Sequence, residues 1–191
     1  MTEHNPTRDE AYMLLTQYTK SDALIKHGLA VEAIMRHFAR SFGEDAETWG
    51  IVGLVHDLDY EQYPEQHCAM TQKILAENNW PGLYIRAVAA HGWGMFTDIE
   101  PQSNMEKVLY AVDELSGLII AAALVRPSRS LMDLEPSSVK KKWKDKGFAA
   151  GVDRTVIEKG AAMLGMELPD LIRESILGMR PVEKELGLGS R

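Results

Sequence analysis

The stretch Met105-Glu-Lys-Val-Leu-Tyr-Ala-Val-Asp-Glu-Leu-Ser-Gly-Leu-Ile-Ile-Ala-Ala-Ala-Leu-Val125 decides how the chain reads. Its apolar residues recur at helical spacing rather than in the alternation of a strand, and Pro127 closes it. It is expected to be the longest and most buried helix of the protein. Asp113 lies inside it. A carboxylate there is costly unless it is paired, protonated or bound to a metal.

The same helical pattern extends to both sides, so the fold expected is all-α. A first helix starts at Pro6 or Thr7 and carries Ala11, Leu14, Leu15 and Tyr18. Ser21 reads as the N-cap of a second, which runs through Leu24, Val31, Ile34 and Phe38 and ends at Gly43. A third begins near Asp45 and holds Ile51-Val-Gly-Leu-Val55, a fourth runs from about Pro64 to Asn78, and a fifth covers Leu83 to His91. Shorter helices are expected over Ser137 to Lys144, Arg154 to Leu164 and Pro169 to Met179, with the terminal Gly-Leu-Gly-Ser frayed. The 191 residues are most simply one domain, with a core over about 21–125 and a helical extension over about 126–191.

Composition sets outer bounds on function. A net charge of −7 argues against a nucleic-acid polymer as partner. One cysteine, Cys68, permits no intrachain disulfide and fits a reducing cytoplasm. Met1 to Glu10 is polar and acidic, unlike a secretion signal, and the uncharged run Leu115 to Val125 is too short to span a bilayer. A cytoplasmic protein without membrane attachment is therefore expected, its oligomeric state left open.

Polar residues of ligand type stand where a plain core would place apolar ones. His27 lies between Leu24 and Val31, His56 and Asp57 end the run Ile51 to Val55, and His91 ends Val88-Ala-Ala90. Asp113 completes a group of five, and His67 is a sixth candidate. Taken singly, each histidine reads as an ordinary hydrogen-bonded residue. Together, histidines and aspartates suit Mn, Fe, Co, Ni or Zn, and carboxylates also admit Mg. His4 and His37 are not assigned to the group.

The order His27, then His56-Asp57, then Asp113 resembles the HD superfamily of metal-dependent phosphohydrolases, whose ligands follow the order H…HD…D. The resemblance covers about Ser21 to Val125. Two-metal members carry further histidines between the HD pair and the last Asp, similar to His67 and His91 here. The chain also resembles small stand-alone HD proteins described as predicted hydrolases, through His56-Asp-Leu-Asp-Tyr60, Tyr110-Ala-Val-Asp-Glu-Leu-Ser116 and Ser138-Val-Lys-Lys-Lys-Trp-Lys144. It lacks the double histidine and Gly-Tyr-Pro motif of the cyclic-di-GMP phosphodiesterases.

The resemblance implies a compact helical HD-domain bundle with additional C-terminal helices. It implies one or two divalent metals, the first held by His27, His56, Asp57 and Asp113, the second by Asp57, His67 and His91. It implies hydrolysis of a small phosphorylated substrate, a nucleotide or a phosphomonoester or diester, by metal-activated water. Cys68 is then an ordinary buried thiol. Asp57 is expected to be catalytic, and Asp59 and Glu61 to act as bases or to orient the water. Lys140, Lys141, Lys142, Lys144 and Lys146 form the one dense basic cluster and are expected to attract the phosphate. Two alternatives use the same residues: a di-iron oxygenase, and a non-catalytic regulatory module that binds metal or nucleotide.

Overall fold

Residue chemistry marks the helix starts. In the computed structural model, which describes residues 4–189, Thr7 and Glu10 form a reciprocal capping box that opens α1 (Arg8–Tyr18). Asp45 accepts from the Glu47 and Thr48 amides to open α3 (Ala46–Val55). Between them lies α2 (Asp22–Phe42), closed by Gly43 in the left-handed conformation. A single 3-10 turn (Pro64–Gln66) precedes α4 (Ala69–Glu77) and α5 (Gly82–Ala90). Ser103 and Glu106 form a second capping box for α6 (Asn104–Leu124). Then follow α7 (Pro136–Trp143), α8 (Arg154–Leu164) and α9 (Leu168–Met179), which runs into the 3-10 turn Arg180–Val182. The described residues hold nine α-helices and no strand, so the all-α expectation is met. None of these helices is long and apolar enough to cross a membrane.

Four local expectations need correction. Ser21 occupies the N-cap position of α2 without a side-chain cap bond; its amide and that of Lys20 donate to the Glu61 carboxylate instead. The fourth helix does not run through from Pro64, because Cys68 adopts a positive φ of 65° and breaks it in two. α6 matches α2 in length at 21 residues rather than exceeding it. Gly187-Leu188-Gly189 is not frayed: Leu186 and Leu188 are buried, and the Gly189 amide donates to the Arg129 carbonyl.

α6 lies at the centre of the apolar core and packs against α2, α5, α7, α8 and α9. Val108, Leu109, Val112, Leu115, Leu118 and Ile119 are buried along its length. α3 lies close on α2, because Gly53 has no side chain. A Cβ there would come within 3.0 Å of the Glu32 amide nitrogen. That approach brings the C-terminal end of α3 against His27. Glu32, also buried, accepts two bonds from Arg8 and one from Arg36, tying α1 to α2.

α8 approaches α6 closely as well. A Cβ on Gly160 would meet the Cα and Cβ of Ala111 at 2.5 Å. Gly160→Ala is therefore expected to push α8 off α6 and cost about 1–3 kcal/mol, read as a lower urea midpoint. An unchanged midpoint would mean that α8 can slide on α6 freely.

Candidate metal centre

Five helices deliver the six residues to one place. His27 comes from the second turn of α2, His56 and Asp57 directly follow α3, His67 precedes α4, His91 follows α5, and Asp113 sits mid-α6. Each histidine is oriented from behind by its Nδ1. The Nδ1–H of His56 donates to the Gly53 carbonyl, that of His91 to the Val88 carbonyl, and that of His67 to the Asp59 carboxylate. Ser116 gives its own proton to the Asp113 carbonyl and so accepts from Nδ1 of His27. These bonds assign every Nδ1 as the protonated nitrogen, which leaves the four Nε2 atoms as lone-pair donors.

The donors form two groups. Nε2 of His27 and His56 lie 3.1 Å apart, and Asp113 Oδ1 is 3.0 and 3.3 Å from them. Asp57 Oδ2 completes this group at 3.4 Å from each. In the second group, Nε2 of His67 and His91 lie 3.3 Å apart, and Asp57 Oδ1 is 3.6 and 3.3 Å from them. Neighbouring donors around an ion at about 2.0–2.1 Å stand roughly 2.9–3.4 Å apart, so both groups have the span of a coordination shell. Asp57 Oδ1 is buried without a hydrogen-bond partner. Such an orphan oxygen, set beside two imidazole nitrogens, calls for a positive charge, supplied by a metal or by the protons that the histidines carry without one. The residues present thus fit a divalent metal, and Asp57 turns one oxygen toward each group.

No family model, curated protein or solved structure matches the chain.

Burial opposes charge on His27, yet its bonds to Asp113 and Asp57 and their charges prevail and lift it to about 10. Burial likewise opposes charge on His67, but Asp59 raises it to about 10. His56 and His91 are also raised. Asp57 and Asp113 are held below the usual carboxylate range by the histidines, against burial. Without metal, then, the cluster holds protons. Raised histidines stabilise the fold fully below their unfolded pKa of 6.5, and that contribution is lost as pH rises toward about 10. Metal competes with those protons and binds more tightly as they leave. The gap in Tm between metal-loaded and chelator-treated protein is therefore expected to widen from pH 6.5 toward 10. A gap that stays constant or shrinks would contradict the donor assignment.

A cavity of about 440 Å³ opens onto the cluster, lined also by Leu24, Tyr60, Met95, Phe96 and Val152. Not every residue expected here is present. Asp59 is fully buried beneath His67, bonded to its Nδ1 at 2.7 Å and to the Thr71 amide at 2.8 Å; it orients a ligand and does not face the cavity. Glu61 is turned away to accept the Lys20 and Ser21 amides at the start of α2. Lys140, Lys141, Lys142, Lys144 and Lys146 do not line the cavity. All but Lys142 are exposed, and Lys142 lies over the Phe148 ring.

Ser116 and Glu114 escaped the sequence reading, while Cys68 is buried as expected but stands beside the cluster. Ser116 lies one turn beyond Asp113, and that spacing is the signal that could have revealed it. Glu114 lies on the cavity wall, where burial and the Asp113 charge push it up to about 7; its Oε2 accepts from the Asp153 amide. Cys68 is fully buried with its Sγ 3.8 Å from Nε2 of His91. The thiol is lowered to about 7, because the two histidines outweigh burial.

Proposed function

We propose that the protein is a two-metal phosphohydrolase acting on a small substrate with one phosphate group. The observation that carries this reading is the Asp57 carboxylate, with Oδ2 toward His27 and His56 and Oδ1 toward His67 and His91. His27, His56 and Asp113 would hold one ion with Oδ2, and His67 and His91 the other with Oδ1. When bound, divalent ions neutralise phosphate oxygens and bring the pKa of water from 15.7 toward about 7.

The chain's own residues do the rest. Among the described residues no Ser or Thr hydroxyl lines the cavity, which favours water as the attacking group. None of the described Lys or Arg residues lines it either, so recognition of a polyphosphate chain has no support there. Leu24, Tyr60, Met95, Phe96 and Val152 instead offer an apolar wall to the body of the substrate. Asp59 and Ser116 keep His67 and His27 in their orientations.

The test is release of inorganic phosphate from a panel of phosphomonoesters by protein loaded in turn with manganese, iron, cobalt, nickel, zinc and magnesium. Turnover that depends on the metal and stops with chelator is expected. Fully metallated protein that hydrolyses none of the panel would overturn the reading. Four imidazole donors also suit iron, which keeps oxygen activation as a second reading. High iron content with substrate-dependent oxygen uptake would favour it over hydrolysis.

A further inference from the structure

We propose that Cys68 is a thiolate ligand of the second ion, which makes this position selective for a borderline or soft metal such as zinc, ferrous iron or cobalt. The inference rests on the two-metal reading above and adds a ligand to it.

Three observations place the sulfur there. First, Sγ of Cys68 and one ring nitrogen each of His67 and His91 all lie within 4.8 Å of one another. The separation of Sγ from His91 Nε2, 3.8 Å, is close to the roughly 3.6 Å expected between a thiolate and an imidazole around a tetrahedral zinc. Second, room for the sulfur depends on Gly92. A Cβ on that residue would lie 2.5 Å from Sγ, so the missing side chain after His91 lets the thiol reach the ring nitrogen. Third, the rest of the shell is already in place. His67 and His91 are both buried, their Nδ1 atoms are engaged behind them, and the orphan Oδ1 of Asp57 faces the same point.

Two imidazoles and one thiolate make a three-donor set, and Asp57 Oδ1 stands 3.6 and 3.3 Å from the two imidazole nitrogens as a fourth donor. The first position, with two imidazoles and two carboxylates, carries no sulfur. The two positions therefore differ in the ions they prefer, since sulfur selects against magnesium and manganese. Binding at the second position requires the thiol proton to leave to solvent.

Cobalt(II) reports the bond directly. The full-length protein, stripped with chelator and titrated with cobalt, is expected to develop near-ultraviolet thiolate-to-cobalt absorption with one of two equivalents. Cys68 is the chain's single cysteine, so the band is assignable in the wild type without any variant. Cys68→Ser is expected to lose the band while keeping the visible absorption of cobalt at the first position. Visible absorption from two bound equivalents with no near-ultraviolet band would overturn the thiolate ligand and leave the two-metal reading standing. No cobalt binding at all would overturn both.

Discussion

Asp57→Asn is expected to reduce metal content from about two equivalents to less than one. The amide keeps the shape of the side chain but lacks the charge that lets one group serve two ions. Loss of an outer-shell partner alone costs about 10–100-fold in metal affinity or activity. Removal of the shared ligand is expected to cost about 100-fold or more at both positions, with phosphate release falling in parallel. Elemental analysis and isothermal titration would measure it. Retention of both metals at wild-type affinity would mean that Asp57 does not join the two groups, whatever its position between them.

Asp59→Ala should separate the two positions. Asp59 touches His67 and the Thr71 amide but none of the first group. Loss of its bond frees the His67 ring, so the second ion is expected to bind about 10–100-fold more weakly while the first is unaffected. The buried Thr71 amide also loses its acceptor, which costs about 1–3 kcal/mol of stability. Equal weakening at both positions, or at neither, would contradict the orienting role given to Asp59.

Most of the fold was legible because its signals are local. Thr7, Asp45 and Gly43 cap or close helices by chemistry that depends only on their immediate neighbours, and α6 announces itself by apolar periodicity. The failures are tertiary. The break at Cys68 falls where the chain leaves the Pro64–Gln66 turn and enters α4 with a positive φ; no turn residue marks it. Leu186 and Leu188 look like tail residues until their burial is seen. Ser21 has the right side chain for a cap, but Glu61, forty residues away, takes over the free amides at the start of α2.

The candidate ligands were legible for a different reason. His27, His56, Asp57, His91 and Asp113 are polar where helical spacing calls for apolar residues, a contradiction that a metal resolves. Residues that serve through position left no such mark. Glu114 and Ser116 stand in the Tyr110–Ser116 stretch without such a contradiction, and Cys68 reads as an ordinary buried thiol. Conversely, the lysines from Lys140 to Lys146 gave a strong charge signal that the structure does not bring to the cavity, since sequence density of charge says nothing about the direction a helix faces.

Metal content of the protein as purified without chelator tests the central claim most directly. Two equivalents per chain are expected, with one lost in His67→Ala and the other kept. A chain that binds no metal under any loading condition, or one equivalent that His67→Ala leaves untouched, would contradict a two-metal centre built around Asp57.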